Sequence, residues 1–407
     1  MDLDRNWSLH CFDCGSEMKS EPPTFLCPKC GGTLELSLRR GFLNRRTLFS
    51  RSGSPGIWRH KLALPPVNGL PVSLGEGSTP LLRSTGALSR SNRYEVYVKV
   101  EGQNPTGSFK DRGMTVAITR AKQRRAESLI CASTGNTSAS LAAYAAKAGM
   151  RAVVVIPSGK VASGKLVQAV AYGAKIVRVK GNFDKALEST IDAVSKDKSL
   201  YLMNSLNPFR IEGQKTAAYE IYEQLGHRVP DAVVMPVGNA GNISALWKGF
   251  EEMRVWGITR TSPRMIGVQA AGAAPIYAAY LKGAQGIEPV EAPETIASAI
   301  RIGRPVSWKK ALRAMKDSGG ACLSVTDKEI ISARSALSSS EGIFVEAASA
   351  APVAALGRLP ESLRKGSKVV CVATGNGLKD QESVRVALDE VPLVDGDSDL
   401  HKSISSA

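Results

Sequence analysis

The sequence has no long apolar run. None of its stretches approaches the roughly 18–20 consecutive apolar residues that a membrane-spanning helix needs. The first six residues carry Asp2 and Asp4 and lack the apolar core of a secretory signal peptide. With 407 residues, the chain is long enough for two or three domains with buried cores. We therefore expect a protein without a membrane partner, located in the cytoplasm.

Acidic residues are missing from one stretch. Residues 36–75 contain none, while the whole chain has a net charge of +16. The arginines of this stretch are Arg39, Arg40, Arg45, Arg46, Arg51 and Arg59. No basic run alternates with aromatic residues, so we expect no nucleic-acid partner. The stretch is predicted to be a solvated linker, with a local site for an anionic polymer as the alternative.

Cysteines are few, and four of the seven follow the pattern C-x2-C-x12-C-x2-C near the N-terminus. These four residues are Cys11, Cys14, Cys27 and Cys30. Each C-x2-C can present two thiolates from one tight turn, and glycines follow both turns, where a positive φ is often needed. In a reducing compartment this spacing predicts a structural Zn²⁺ site rather than disulfides. The remaining cysteines lie in apolar surroundings and are predicted to be core residues: Cys131, Cys322 and Cys371.

Beyond residue 75, short β-rich runs alternate with Ala-rich stretches of helical length. The predicted strands are residues 94–100, 128–132, 152–156, 175–179, 232–237, 264–268 and 368–372. The predicted helices between them include residues 137–149, 165–173 and 184–195. This order predicts an α/β fold with parallel sheets covered by helices. Ligands of such folds bind at the carboxyl ends of the strands.

Lys110 lies in the stretch E-G-Q-N-P-T-G-S-F-K-D-R-G-M, residues 101–114, which follows a predicted strand and opens a helix. Positive backbone charge at a helix N-terminus lowers the pKa of a lysine, which suits an amine that must form an imine. A lysine in a loop is more often an ordinary surface residue. Whether Lys110 forms an imine or is a surface residue therefore has to be judged from the sequence motif around it.

Three further loops with glycine follow predicted strands. They read A-S-T-G-N-T-S at 132–138, G-N-A-G-N at 238–242 and A-T-G-N-G-L-K-D at 373–380. Backbone N–H groups at the start of a helix suit carboxylates and phosphates. For a single hydroxyl such as that of Thr137, an ordinary helix N-cap is the alternative.

Together these motifs are similar to those of fold-type II pyridoxal 5'-phosphate (PLP) enzymes, and N-P-T-G-S-F-K-D-R-G resembles threonine synthases. The resemblance implies that Lys110 carries PLP as a Schiff base and is the catalytic base and acid. It implies that Asn136 binds the 3'-oxygen of PLP and that Thr374 contacts the pyridine nitrogen. The loop that binds the PLP phosphate would be Gly238, Asn239, Ala240, Gly241 and Asn242. The residues that bind the substrate carboxylate would be Ser133, Thr134 and Thr137.

The stretch N-S-L-N-P-F-R-I-E-G-Q-K-T, residues 204–216, resembles the threonine synthase segment that binds the substrate phosphate. It implies Asn204 and Arg210 as phosphate ligands, with Arg210 offering bidentate donors. The alternative for Arg210 is an ion pair with Glu212 or Glu220 on a surface helix. Other stretches that resemble the family are residues 74–81, 157–160, 295–305 and 342–346. The chain departs from the family pattern at Ala347, where we expect proline, and at Asn376, where histidine is common.

The resemblance covers about residues 55 to 385 and implies the tryptophan synthase β-like fold of type II: two three-layer α/β domains with parallel sheets, plus an N-terminal zinc ribbon. The expected domains are a zinc ribbon at 1–38, a linker and the start of the large PLP domain at 39–95, a smaller α/β domain at 96–210, the rest of the large domain at 211–390 and a polar tail at 391–407.

The implied reaction is that of a carbon–oxygen lyase acting on phosphates. O-phospho-L-homoserine and water give L-threonine and phosphate through γ-elimination and β-hydration, the last step of threonine biosynthesis. A related PLP enzyme is the alternative, such as cysteate synthase acting on O-phosphoserine or a lyase similar to threonine dehydratase. A nucleic-acid binder with a zinc ribbon and a degenerate enzyme body would need broken cofactor motifs, and these motifs are intact. Relatives of this kind suggest a homodimer.

Overall fold

The computed structural model describes residues 6–38, 43–50, 53, 55–86, 88, 93–158 and 166–380. The strands in these ranges are β1 (Trp7–Cys11), β2 (Leu34–Leu38), β3 (Leu81–Arg83), β4 (Glu95–Val100), β5 (Ser128–Ala132), β6 (Arg151–Pro157), β7 (Lys175–Val179), β8 (Leu200–Leu202), β9 (Ala232–Pro236), β10 (Arg264–Ala270), β11 (Ala321–Val325) and β12 (Lys368–Ala373). The tail at 391–407 and the residues Gly159 and Lys160 lie outside the described residues.

The α-helices in the same ranges are α1 (Arg45–Leu48), α2 (Lys110–Gln123), α3 (Asn136–Ala148), α4 (Val167–Ala171), α5 (Phe183–Lys196), α6 (Pro208–Gln214), α7 (Thr216–Gln224), α8 (Gly241–Val255), α9 (Pro275–Lys282), α10 (Trp308–Asp317), α11 (Asp327–Glu341) and α12 (Ala347–Ala354). Short 3-10 helices span Gly56–Ala63, Glu101–Gln103, Ala271–Ala273, Ser298–Ile300, Leu356–Arg358 and Gly377–Lys379. None of the described helices is long and apolar enough to cross a membrane.

The N-terminal ribbon is an antiparallel pair, in which β1 and β2 run from Trp7 opposite Leu38 to Cys11 opposite Leu34. Alternate side chains of β1 point inward, because successive residues of a strand face opposite sides. The ribbon shares an apolar core with the smaller sheet rather than standing apart from it.

The larger sheet has the strand order β11-β10-β9-β12-β4-β3. Its strands pair in parallel except for β3, which pairs antiparallel with β4 at the edge. Strands β9 and β12 are buried along their length apart from the first residue of β12, as expected when helices cover both faces of a parallel sheet.

The smaller sheet has the order β7-β6-β5-β8, and all its pairs are parallel. Its central strand β5 is buried at every position. Helices α3 and α5 contact this sheet, and α2 adds Met114, Val116 and Ile118 to the same core. The two-sheet α/β fold predicted from the sequence is confirmed.

The predicted start of the smaller domain at residue 96 needs correction. It would assign β4 to that domain, whereas β4 pairs with β12 in the larger sheet. The alternation of residues in β4 predicts a strand, but it does not show to which of the two sheets the strand belongs. We propose that the smaller domain begins at α2, and the other predicted boundaries stay predictions.

The order of the strands brings the predicted loops together. Strands β9, β12 and β4 are neighbours in the larger sheet, and the loops at their carboxyl ends carry residues 238–242, 374–380 and 101–110. The last two loops also bind each other, because Phe109 N donates to Thr374 O at 3.0 Å and Asn376 N donates to Gly107 O at 2.9 Å.

Candidate active site

A cavity of about 1030 Å³ opens where these loops meet the loop that follows β5. Every site residue predicted for the cofactor and the substrate lines it: Lys110, Ser133, Thr134, Asn136, Thr137, Asn204, Arg210, Gly238, Asn239, Ala240, Gly241, Asn242 and Thr374. These residues come from both sheets and from α6. The sequence therefore predicted residues that converge on one site.

Lys110 is the first residue of α2, and part of its side chain faces the cavity. Burial of the amine, reinforced by the charge of Arg210, lowers the pKa of Lys110 to about 7, while Glu346 acts in the opposite direction. The Nζ atom lies 4.1 Å from the centroid of the Phe109 ring. Near neutral pH a large fraction of this amine is uncharged and nucleophilic.

Asp111 fixes the loop that precedes Lys110. Its carboxylate accepts hydrogen bonds from Thr106 N at 2.7 Å and from Thr106 Oγ1 at 2.6 Å. Burial raises the pKa of Asp111 to about 6 in spite of these bonds. The aspartate of the K-D-R-G motif thus supports the loop and does not enter the cavity wall.

Asn136 begins α3 and has a partner that the sequence did not reveal. Its Nδ2 donates to both carboxylate oxygens of Glu346, at 3.1 and 3.0 Å. Glu346 is buried and lines the same cavity, and burial raises its pKa. The two residues lie 210 positions apart, so no local pattern could have paired them.

Thr374 follows β12 and is also held by a residue that sequence reasoning missed. Its Oγ1 lies 2.9 Å from Ser349 Oγ in buried surroundings. Ser349 Oγ in turn accepts a hydrogen bond from Gly375 N at 2.8 Å. Either hydroxyl can donate in the Ser349–Thr374 bond, and when Ser349 donates, the Thr374 hydrogen is free to point into the cavity.

The loop after β5 presents small polar residues at the N-terminus of α3. Ser133 N donates to Val155 O at 3.1 Å, which fixes the loop beside β6. Ser133, Thr134 and Thr137 line the cavity, and the first N–H groups of a helix have no acceptor within it. This arrangement suits a carboxylate.

The loop after β9 contains a residue in a conformation that usually requires glycine. Ala240, the N-cap of α8, has φ of +66°, and the left-handed region costs a residue with a Cβ roughly 1–2 kcal/mol. The next residues begin α8, and Asn242 Nδ2 is a buried donor without a hydrogen-bond partner among the described residues. A helix start with an unsatisfied buried donor suits an anion.

Asn204 is bound more tightly to the protein than its predicted role suggested. Its Oδ1 accepts from Ala132 N at 2.9 Å, and its Nδ2 donates to Ala132 O at 2.9 Å. One amide hydrogen of Asn204 remains for a ligand. The side chain thus also joins the end of β8 to the end of β5.

Arg210 lies on α6 and is buried, with 2% of its surface exposed. Its Nη1 donates to Met203 O at 3.0 Å, while Nε has no hydrogen-bond partner among the described residues. Burial lowers the pKa of Arg210 to about 10. Glu212 pairs with Lys215, and Glu220 pairs with Lys99 and Arg112, so the alternative of an ion pair on a surface helix is wrong.

The four N-terminal cysteines form a second, separate cluster. Their Sγ atoms all lie within 4.8 Å of one another, with 3.5 Å between Cys11 and Cys30 and 3.8 Å between Cys14 and Cys27. Zn–S bonds of about 2.3 Å in a tetrahedron give sulfur–sulfur edges of about 3.8 Å. Gly15 and Gly31 have φ of +70° and +71°, as the tight turns required. The cluster fits Zn²⁺.

The isolated cysteines are buried, and burial raises the pKa of each thiol to about 12. Such thiols are unreactive at neutral pH. Their prediction as core residues is confirmed for Cys131, Cys322 and Cys371.

The residues of the cavity fit PLP. Lys110 offers a partly uncharged amine, Thr374 offers a hydroxyl, and the loop at 238–242 offers helix N–H groups with the unsatisfied Asn242 Nδ2. Residues 72–375 match the family of pyridoxal-phosphate dependent enzymes. The chain is therefore a PLP-dependent enzyme. Its fold is similar to that of maize serine racemase, with a TM-score of 0.65 and 21% identity over 81% of this chain and 93% of the racemase.

Two relatives narrow the family. The chain is 48% identical to threonine synthase of Methanocaldococcus jannaschii over 399 residues, 97% of this chain and 98% of the relative. It is 46% identical to threonine synthase of Methanosarcina acetivorans over 395 residues, 97% of each chain. The chain belongs to the threonine synthase family.

Proposed function

We propose that this protein is a threonine synthase that converts O-phospho-L-homoserine and water into L-threonine and phosphate. Its membership of the threonine synthase family supports this lyase activity. The observation that carries the proposal is a cavity with two functional ends: a lysine whose pKa is about 7 and a buried arginine that no carboxylate of the described chain neutralises.

Residues around the cavity would hold PLP in four ways. Lys110 would bind it covalently, Asn136 would bind its 3'-oxygen, and Thr374 would donate to its ring nitrogen. The loop formed by residues 238–242 would bind its phosphate through helix N–H groups and Asn242. When bound, PLP supplies an electron-withdrawing ring that stabilises negative charge at the neighbouring substrate carbons.

Lys110 would move the protons of the reaction. With a pKa of about 7, the released amine would act as a base near neutral pH and take protons from the α and β carbons of the substrate, and its protonated form would deliver protons to the γ and α carbons. Burial and the charge of Arg210 lower the pKa of Lys110, so that its charged form does not predominate near neutral pH. Phosphate would leave from the γ carbon, which gains a proton and becomes the methyl group of threonine, and water would add its hydroxyl at the β carbon.

The two anionic groups of the substrate would bind to different elements that line the cavity. Ser133, Thr134 and Thr137 at the N-terminus of α3 would bind the carboxylate. Arg210 would bind the phosphate through its free Nε and its fork of donors, with Asn204 adding one amide hydrogen. Retention of phosphate at Arg210 after elimination would place a base beside the incoming water.

Incubation of the PLP-loaded enzyme with O-phospho-L-homoserine tests the proposal. We expect phosphate and threonine in equal amounts, and neither product from Lys110→Ala. Phosphate without threonine would remove the hydration step from the proposal. A parallel reaction with O-phosphoserine, one carbon shorter, separates this activity from that of a cysteate synthase. Faster turnover of O-phosphoserine would favour that alternative.

Two further properties belong to the proposal. A cytoplasmic location and a homodimer are expected from the resemblance to threonine synthases. The oligomeric state is tested by light scattering on the purified protein, where a monomer at micromolar concentration would contradict the dimer.

A further inference from the structure

None of the described residues of the four-cysteine ribbon, residues 6–38, lines the cavity. It nevertheless touches the element that carries Arg210. Helix α6 contacts β2 of the ribbon, and the two regions share one apolar core. The position of these contacts on the helix indicates what the ribbon contributes.

Phe25 makes the central contact. It is buried, with 1% exposed, and lies two residues before Cys27. Its ring meets Phe209 edge to face at 6.4 Å between centroids, and it meets Tyr201 at 5.4 Å. Phe209 is fully buried and directly precedes Arg210 on α6. Such aromatic pairs fix orientation as well as burying apolar area.

A second contact lies one helical turn further along α6. Glu212 accepts from Lys215 Nζ at 2.6 Å and forms a short ion pair with Lys248. Lys248 also donates to Leu36 O of the ribbon, and Lys215 Nζ lies 5.3 Å from the centroid of the Trp7 ring. The ribbon therefore contacts Phe209 directly, and one turn later it contacts the two lysines that pair with Glu212.

These contacts and the ligand-binding side chains lie on different faces of α6. Phe209 and Glu212 are three residues apart and share one face, while Arg210 and Gln214 are four apart and share another. Arg210 and Gln214 line the cavity, and each has a buried polar atom without a partner in the described chain, Arg210 Nε and Gln214 Oε1. The cavity face thus has few bonds of its own to hold the helix in place.

On its other side α6 crosses α2 closely. A Cβ at Gly213 would lie 1.7 Å from the backbone oxygen of Arg112. Arg120 of α2 packs its guanidinium 5.4 Å from the centroid of Phe209 and donates to Glu21 of the ribbon at 2.6 Å. Helix α2 therefore packs closely on one side of α6, and the ribbon contacts the side that carries Phe209.

We propose that the ribbon belongs to the substrate-binding machinery, with Phe25 as a positioning residue that holds α6 so that Arg210 faces the substrate phosphate. This inference rests on the proposed function, because it takes Arg210 as the phosphate ligand. The bound metal would act through the ribbon by keeping the turn before Cys27 in shape.

The test compares two ribbon phenylalanines. Phe25 contacts α6, whereas the half-buried Phe12 lies under Lys310 and Arg313 of α10, with 5.3 and 5.5 Å to its centroid. We would titrate inorganic phosphate into the PLP-loaded enzyme by calorimetry for Phe25→Ala, Phe12→Ala and Arg210→Ala. We expect Phe25→Ala to weaken phosphate binding about fivefold or more and Phe12→Ala to change it less than about twofold.

Steady-state kinetics adds a second readout. Phe25→Ala should raise KM for O-phospho-L-homoserine with a smaller change in kcat, since binding of phosphate rather than proton transfer is affected. Equal losses of phosphate affinity in Phe25→Ala and Phe12→Ala would overturn the inference, because the ribbon would then act only through general stability.

Zinc content is measured for each variant, so that damage to the ribbon is recognised. If Phe25→Ala loses metal or fails to fold, Phe25→Leu replaces it, and we expect a smaller loss of phosphate affinity with full metal content. Unchanged affinity in Phe25→Leu would overturn the inference.

The failure of the inference and that of the proposed function are distinguishable. If Arg210→Ala loses phosphate binding while Phe25→Ala keeps it, only the role of the ribbon is wrong. If Arg210→Ala binds phosphate as the unmodified enzyme does, the proposed phosphate site is wrong and the inference falls with it. In the Arg210→Lys background, the effect of Phe25→Ala should shrink, because coupled residues are not additive.

Discussion

The two ends of the cavity differ in how far the protein satisfies its own polar groups. At the ring end, where the pyridine ring of PLP is expected, Asn136 is bonded to Glu346 and Thr374 to Ser349. At the phosphate end, Arg210 Nε and Gln214 Oε1 are buried without partners in the described chain. A buried polar atom without a hydrogen bond costs about 1–3 kcal/mol. The side chains around the expected PLP ring are therefore organised before any ligand binds. At the phosphate end, Asn204 is bonded to Ala132 and Arg210 Nη1 to Met203 O, and a ligand would satisfy the buried atoms that remain.

Of the substitutions considered, Arg210→Met should have the largest effect on activity, because it removes the charged group of the phosphate end. Loss of a charged donor to phosphate is expected to lower kcat/KM for O-phospho-L-homoserine about a hundredfold or more. The same change removes a buried charge, so the free energy of unfolding without phosphate should rise by about 1 kcal/mol. Enzyme assays and urea unfolding measure the two effects.

Arg254→Met is the control for that prediction. Arg254 pairs with Glu251 on an exposed face of α8 and does not line the cavity. It should leave both quantities nearly unchanged. A lower stability of Arg210→Met than of Arg254→Met would contradict the view that Arg210 is held in an unsatisfied state.

The pH dependence of cofactor capture links the two ends. The pKa of Lys110 is lowered to about 7, so its amine is protonated below that pH and free above it. We expect the rate at which the PLP-free enzyme binds PLP covalently to rise about tenfold per pH unit below 7 and to level off above it. Stopped-flow absorbance follows the reaction.

The same substitution, Arg210→Met, tests whether Arg210 affects this pH profile. Arg210 is the second cause of the lowered pKa of Lys110, after burial. Its removal should raise that pKa and move the midpoint of the profile to higher pH. A midpoint that stays in place or falls would contradict the effect of Arg210 on the pKa of Lys110.

Ser349→Ala tests the organised end and should have a moderate effect. It removes a partner of Thr374 and leaves Gly375 N without its acceptor. We expect about a three- to tenfold loss of PLP affinity and a changed absorbance spectrum of the bound cofactor. Thr374→Ser, which keeps the hydroxyl, should retain the spectrum. An unchanged spectrum in Ser349→Ala would mean that Thr374 needs no orientation.

Glu346→Gln should have the smallest effect. The pKa of Glu346 is raised by burial, and its contact with Asn136 needs an acceptor oxygen, which glutamine also provides. We expect kcat within about twofold of the unmodified enzyme, and a larger loss in Glu346→Ala. A loss in Glu346→Gln as large as in Glu346→Ala would show that the charge of Glu346 matters.

Much of this site could be predicted from the sequence, because its residues lie in loops that follow strands. Parallel pairing brings the loops of Lys110 and Thr374 to one edge of the larger sheet, and Asn136, which follows a strand of the smaller sheet, lines the same cavity. The strands at 128–132 and 175–179 are confirmed residue for residue. Both segments are short runs rich in apolar and β-branched residues, a pattern that predicts a strand from local sequence alone.

Other features have no local signal. Ser349 and Glu346 act through contacts with residues far away in sequence, and a serine on a helix predicts no partner. The short strands β3 and β8 have three residues each, too few for a period to emerge. The packing of Phe25 on Phe209 joins segments about half the chain apart and could be found only in the fold.

The covalent attachment of PLP to Lys110 is the central claim, and one measurement tests it directly. The PLP-loaded enzyme is reduced with borohydride, digested and analysed by mass spectrometry. We predict that the cofactor is found on Lys110 alone, and that Lys110→Ala carries none. Lys379 also lines the cavity, but its Nζ donates to Thr106 O at 2.6 Å. Cofactor found on Lys379, or on no lysine at all, would contradict the account.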